Sequence, residues 1–269
     1  MQILSVKGEI HTMGRIIVIA NQKGGVGKTT TAINLSASLA ELNKKVLIVD
    51  MDPQGNTSSG LGIQKDEIEN TVYQLLLGEL EVKECMIHGK YENMSIIPSN
   101  INLAAAEIEL VGIDDKEFIL QKAINSVKEE YDYILIDCPP SLSMLTINSM
   151  CAADTVLVPI QCEYYALEGL TQLIHTIDLV KDRLNPNLEI EGVVFTMYDA
   201  RTNLSLQVVE NVKSNLQQNI YKTIIPRNIR LAEAPSHGIP INQYDARSTG
   251  AESYRLLAEE VIHRGEEEW

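Results

Sequence analysis

Short runs of consecutive apolar, mostly β-branched residues recur along the chain at 15–20, 45–50, 94–98, 133–137, 155–160, 192–197 and 222–225. Each reads as a buried strand. Between most of them the apolar positions change to helical spacing, as at Ala32, Leu35, Ser36, Leu39 and Leu42. Continuously apolar strands that alternate with helices imply a sheet covered on both faces, because the crossover that joins two parallel strands must lie on one face or the other. The expected fold is therefore α/β: a mostly parallel twisted sheet with helices on both faces. No repeat, low-complexity segment or linker interrupts the pattern, so residues 13–269 are expected to form one domain. Residues 1–12 lack the apolar core of a signal peptide. With Met13 standing just before the first run, they are set aside as an extension or a misassigned start. No apolar run approaches the ~18 residues of a membrane-spanning helix.

Composition changes this picture in two ways. Apolar residues make up 45% of the chain, enough for a large core. The net charge of −15 argues at first sight against nucleic acid, but the charge is unevenly placed. Between residues 61 and 120 twelve acids face four bases, leaving −8, whereas between 221 and 247 four bases (Lys222, Arg227, Arg230, Arg247) outnumber two acids (Glu233, Asp245). A local basic face is thus compatible with the acidic total, and the acidic stretch from Asp66 to Glu117 would suit a basic peptide. The four cysteines, Cys85, Cys138, Cys151 and Cys162, form no CxxC pair and read as free thiols of a reducing cytoplasm.

In open α/β sheets ligands collect at the carboxyl ends of the strands. The polar clusters at 21–31, 50–56 and 137–141 all follow predicted strands and converge on that edge. The first reads Lys23-Gly24-Gly25-Val26-Gly27-Lys28-Thr29-Thr30 and lies between a strand and a helix, the context of a phosphate-binding loop. Its glycines let backbone N–H groups curl around phosphate oxygens, and the helix N-terminus adds a favourable dipole. Lys28 is expected on the β- and γ-phosphates of ATP and Thr29 on Mg²⁺. The common pattern has glycine five residues before Gly27; here that residue is Gln22, and Lys23 precedes the double glycine instead.

Two carboxylates complete the site. Asp52, in Asp52-Pro53-Gln54-Gly55-Asn56, stands where a base that orients water at the γ-phosphate belongs, although an Asx-turn residue opening the loop would look the same. Asp50 shares its strand face by the period of two and is expected to be structural or to support a neighbouring site residue. Asp137 ends the run Tyr133-Ile134-Leu135-Ile136-Asp137 like the acid that holds Mg²⁺ or its water. Pro139 and Pro140 stiffen the following loop. Cys138 has no reactive partner in the sequence and is expected to be inert.

The loop with Lys23, and the strand ending in Asp137-Cys138-Pro139-Pro140-Ser141, resemble the superfamily of ParA, MinD and the nitrogenase iron protein, whose phosphate loop is a deviant Walker A sequence. The resemblance implies a homodimer around two sandwiched ATP molecules, with Lys23 reaching the partner's phosphates and Asp52 serving the hydrolytic water. Lys23, Lys28 and Asp52 are then the catalytic residues, and Asp52 and Asp137 reach Mg²⁺ through water. It also implies an adenine-holding loop at Pro226, Arg227 and Asn228, with Asn228 at the base edge. The segments Tyr198-Asp199-Ala200-Arg201-Thr202 and 226–238 resemble the Soj-type chromosomal ParA proteins, a likeness running from about Met13 to the C-terminus.

In that subgroup the arginines matching Arg201 and Arg230 contact DNA phosphates across the ATP dimer. Such binding to double-stranded DNA would be sequence-independent and salt-sensitive. The bland alternative is a pair of surface arginines in ordinary ion pairs. The resemblance further implies a ParB-like centromere-binding partner, weak basal ATPase activity and a cytoplasmic, nucleoid-associated location. A MinD-like membrane ATPase is the rival reading, but residues 255–269 carry largely acidic polar positions where anionic lipid requires basic ones, and Trp269 does not change that. An iron–sulfur carrier lacks suitably spaced cysteines. A metabolic kinase fits the doubled switch motifs less well than a timing ATPase. The first strand begins too early for an added N-terminal DNA-reading domain, so the short form is expected.

Overall fold

All seven apolar runs form strands in the computed structural model, which describes residues 14–163, 166–215 and 219–267. The strands are β1 (Arg15–Ile19), β2 (Val46–Asp50), β3 (Ile87–Tyr91), β4 (Met94–Ile97), β5 (Tyr133–Asp137), β6 (Thr155–Gln161), β7 (Glu189–Tyr198) and β8 (Ile220–Pro226). They form one eight-stranded sheet in the order β3-β4-β2-β5-β1-β6-β7-β8. Every neighbouring pair is parallel except β3 with β4. The extension at residues 1–12 and Trp269 lie outside the described residues.

The strand missing from the sequence reading is β3, whose residues Ile87-His88-Gly89-Lys90-Tyr91 are largely exposed. As an antiparallel edge strand it needs no continuous apolar run, and its register on β4 is irregular.

Alternate residues of the central strands enter two cores. Ile16, Val18, Leu47, Val49, Ile134, Ile136, Val156 and Val158 face one way. Ile17, Ile19, Val46, Ile48, Leu135 and Leu157 face the other. The helices are α1 (Lys28–Glu41), α2 (Asn56–Gly60), α3 (Val72–Leu76), α4 (Leu103–Glu109), α5 (Ile119–Asn125), α6 (Met144–Ala152), α7 (Ala166–Arg183), α8 (Asn203–Asn215), α9 (Ile229–Glu233), α10 (Ile241–Tyr244) and α11 (Thr249–Glu267). Helices α3 to α8 cover the first face, while α1, α9, α10 and α11 cover the second. Helix α1 is buried along most of its length, which is why its sequence is rich in Ala and Ser rather than strongly amphipathic. Helix α11 buries Tyr254, Leu257, Ala258 and Val261 in the second core, so its apolar face is occupied within the fold. No described helix is long and apolar enough to cross a membrane.

The site follows from the strand order. From β1 the chain passes through α1 to β2 and then to β3 and β4 on one side. It returns to β5 beside β1, then continues through β6, β7 and β8 on the other side. The winding therefore reverses around β1, and the carboxyl ends of β1, β5 and β6 border the crevice in which such sheets bind ligands.

Candidate nucleotide site

The loop between β1 and α1 is held from behind and open in front. Asn21 donates to the Pro159 carbonyl at 2.7 Å and accepts from the Lys23 N–H at 3.0 Å. Thr196 donates to the Val26 carbonyl at 2.8 Å. Gly25 and Gly27 sit at φ +75° and +92°, where a Cβ is strained. A Cβ built on Gly24 or Gly25 would meet no atom within 4 Å, so the outer face of the loop is free space. Helix α1 has neither a side-chain N-cap nor an acid in its first turn, and its N-terminal N–H groups and dipole remain available to an anion.

Lys28, the first residue of α1, is buried, and its ammonium donates to the Lys23 carbonyl at 3.1 Å. Burial lowers its pKa, and the nearby Asp137, Cys138 and Asp52 oppose that shift. A buried ammonium directed at the loop suits a phosphate that brings its own negative charge.

Asp137, fully buried at the end of β5, accepts on Oδ2 from the hydroxyls of Thr29 at 2.8 Å and Thr57 at 2.7 Å. Its Oδ1 is buried without a hydrogen-bond partner. Burial, reinforced by the charge of Asp50, raises the Asp137 pKa. An unsatisfied carboxylate oxygen beside the Thr29 hydroxyl is a hard donor set that fits Mg²⁺. Among the described residues no group of three or more His, Cys, Asp or Glu side chains could hold a metal.

Asp50 has the structural role expected of it. Its carboxylate accepts from the Ser58 N–H at 2.8 Å, the Ser58 hydroxyl at 2.7 Å and the Asp52 N–H at 3.2 Å. These bonds fold the loop after β2 back over the strand end, while burial raises the Asp50 pKa. Asp52 is buried and accepts from the Gln54 N–H at 2.9 Å. It therefore opens an Asx turn, and its charge also acts on Lys28.

Lys23 is paired within the chain. Its ammonium binds the carboxylate of Glu163, two residues beyond β6. Sequence reasoning did not single out Glu163, although an acid placed just past a strand end on the carboxyl edge was the available signal. Thr57, Thr196 and Asn21 were missed as well, because no spacing rule reports which hydroxyl or amide a loop will bring to a carboxylate or carbonyl.

A largely apolar cavity of about 390 Å³ adjoins the loop, lined by Gly27, Thr30, Thr196, Ile225, Leu231 and Tyr254 together with Pro226, Arg227 and Asn228. It has the character of a site for a flat heterocycle. The Asn228 amide is engaged at both ends: its oxygen caps α9 by accepting from the Arg230 N–H at 2.8 Å, and its nitrogen donates to Thr249 at 2.7 Å. These bonds fix the orientation of the amide and use one of its two N–H donors and one of its two oxygen lone pairs.

Arg201 and Arg230 lie outside this cluster, on the loop after β7 and on α9. Arg201 grips Asp199 through two bonds of 2.8 and 2.7 Å, yet its side chain is 84% exposed. The guanidinium holds the Asp199 carboxyl far below the usual carboxylate range. Arg230 pairs with Glu233 at 2.8 Å and Asp245 at 3.5 Å and is half exposed. Both arginines thus sit in surface ion pairs, which are weak enough for another anion to displace. The four cysteines are free and buried, and burial pushes the Cys138 thiol up to about 12.

Comparison with known proteins places this geometry. A family model described as an AAA domain matches residues 14–190. The chain is 57% identical to the sporulation initiation inhibitor protein Soj of Bacillus subtilis, over 94% of this chain and 100% of that protein. It is 54% identical to the chromosome partitioning protein ParA of Myxococcus xanthus, over 94% of this chain and 89% of that protein. Among solved structures it resembles the cobyrinic acid a,c-diamide synthase of Mycobacterium smegmatis with a bound ATP analogue and magnesium (TM-score 0.84, 36% identity, 94% of this chain and 96% of that chain). It also resembles the septum site-determining protein MinD of Pyrococcus horikoshii with Mg-ADP (TM-score 0.75, 29% identity, 93% and 96%).

Proposed function

Since the chain belongs to the ParA/Soj family of P-loop partition ATPases and binds and hydrolyses ATP with Mg²⁺, we propose that it works as an ATP-sandwich homodimer that holds DNA until hydrolysis releases it. The observation that carries this reading is the meeting of Lys28, Thr29, Asp52 and Asp137 at the carboxyl ends of β1, β2 and β5.

The loop from Lys23 to Thr30 receives the phosphates, with Lys28 on the β- and γ-groups and the N-terminal N–H groups of α1 completing the cradle. Thr29 and Asp137 are the residues that hold Mg²⁺, the latter through water, and Asp52 stands near it. The metal spreads the charge that builds on the phosphoryl oxygens. Adenine occupies the cavity beside Pro226, Arg227 and Asn228. Asp52 orients the attacking water from its turn. Lys23 exchanges Glu163 for the phosphates bound to the second protomer, so two half-sites are completed only on dimerisation.

Closure presents Arg201 and Arg230 of both protomers together, and each exchanges its acidic neighbour for a DNA phosphate. Such contacts position a duplex without reading its sequence. A ParB-like centromere-binding protein completes the water-positioning constellation and accelerates an otherwise slow turnover. No membrane takes part in this cycle; the occupied apolar face of α11 supports that part of the reading.

The test is binding to a random-sequence DNA duplex with Mg-ATP, with ADP and without nucleotide, using Arg201→Ala as control. The expected result is binding with ATP alone, weakened by salt and by the substitution. Absence of DNA binding in every state, with ATP-dependent dimerisation intact, would overturn the DNA part of the reading.

A further inference from the structure

The phosphate-loop pattern accounts for one hydroxyl on Asp137, and the structure has two. Thr57, fully buried in α2, donates to Oδ2 at 2.7 Å, and Thr29 donates to the same atom at 2.8 Å. Oδ1, equally shielded from solvent, has no partner. The neighbouring hydroxyl is used differently: Ser58 serves Asp50 at 2.7 Å. Adjacent side chains of one short helix are therefore divided between the two buried carboxylates.

A carboxylate can turn about its Cβ–Cγ bond and offer either oxygen. Two hydroxyl donors on one oxygen oppose that rotation and leave the other oxygen as the open acceptor. We propose that Thr57 is a positioning residue for the metal side of the site: it saturates Oδ2 of Asp137 so that Oδ1 remains presented to the hydration shell of Mg²⁺. Because Thr57 stands five residues after Asp52, the same bond fastens the loop that carries Asp52 to the end of β5. The inference rests on the assignment of Asp137 to magnesium.

Thr57→Val keeps the branched shape and removes the donor, whereas Thr57→Ser keeps the donor and loses only a methyl group. Each protein is titrated with magnesium chloride in the presence of a fluorescent ADP analogue, and nucleotide retention is read without turnover. Removing a group that orients a metal ligand costs about tenfold in metal affinity at the low end. The expected result is a magnesium midpoint raised about tenfold in Thr57→Val and within about twofold of the parent in Thr57→Ser, with nucleotide binding in EDTA unchanged. Thr57→Ala substitutes for the valine variant if that protein does not fold. A parental midpoint in the variants lacking the hydroxyl would overturn the proposal, and so would a serine variant as weak as valine, which would reveal packing rather than hydrogen bonding. Asp137→Asn separates the two layers: it should lose the magnesium response altogether, and a parental midpoint there would overturn the metal assignment itself.

Discussion

Replacing Glu163 by Gln tests the proposed exchange of Lys23 between protomers. In the single chain Lys23 and Glu163 form an ion pair whose side chains are 38% and 34% exposed. Partial exposure screens the pair, so its worth is that of a surface salt bridge, ~0.2–1 kcal/mol, rather than that of a buried one. If each Lys23 must leave its own Glu163 before it reaches the opposite ATP, that energy opposes dimerisation twice, once per protomer. Glutamine keeps the shape and removes the charge, so the ATP dimer should tighten by ~0.4–2 kcal/mol, or roughly two- to thirtyfold in dissociation constant.

The assay is sedimentation equilibrium in Mg-ATP, in an Asp52→Ala background that prevents turnover during the run. Salt supplies an internal control. An exposed pair weakens as the Debye length contracts, so the advantage of Glu163→Gln should shrink between low and high ionic strength. An unchanged dimer constant at low salt would show that Lys23 does not leave Glu163 on dimerisation. A weaker dimer would show that Glu163 travels with Lys23 into the interface and stabilises it there. Either result refutes the exchange.

Asp52→Ala should retain ATP and accumulate as a dimer while turnover falls by about 10²-fold or more, the usual contribution of a positioned base; phosphate release in single turnover reads this, and parental hydrolysis would remove Asp52 from the mechanism. Gly24→Val should melt at the parental temperature, since a Cβ at this position meets no atom within 4 Å in the single chain. It should nevertheless fail to dimerise with ATP, because the open face of the loop is where the second protomer is proposed to close; ATP-dependent dimerisation seen by light scattering would defeat the sandwich arrangement.

The sheet was legible because its central strands are buried on both faces and must be apolar throughout. Ile16 to Ile19 cannot alternate with polar residues when each neighbour feeds a different core. The same argument explains why β3 was not seen: an edge strand with one partner and solvent on its other side imposes no such demand on His88, Gly89 and Lys90. At the site, the residues in contiguous motifs were readable, since Asp137 ends a strand and Lys28, Thr29 and Asp52 lie in or just past the loop that follows one. Residues that act across the sequence were not. Glu163 lies 140 positions from Lys23, and Thr57 lies 80 positions from Asp137. Asn228 shows the opposite limit. Its place beside the cavity agrees with the loop it was assigned to, but the second duty of its amide, capping α9 and binding Thr249, is visible only in the folded backbone.

The loop after β2 also bears on a more distant part of the molecule. Thr57 and Ser58 pin its helix to Asp137 and Asp50, and two residues beyond β2 the chain has already left the sheet to form the Asx turn of Asp52. At its far end Gly62 lies against Gly238, which ends the segment that begins with Arg230 on α9. A Cβ on Gly238 would fall 2.6 Å from the Gly62 Cα, and one on Gly62 would fall 2.7 Å from the Gly238 carbonyl oxygen. The Tyr91 hydroxyl joins the same seam, 3.1 Å from the Leu61 carbonyl and 3.0 Å from that of Gly238. Two backbones in such contact, both at positive φ, leave no side chain to absorb a displacement. The segment that follows Asp52, the carboxylate proposed to position water, and the segment that carries Arg230 therefore meet backbone to backbone on the second face of the sheet, so that neither can move at Gly62 or Gly238 without displacing the other.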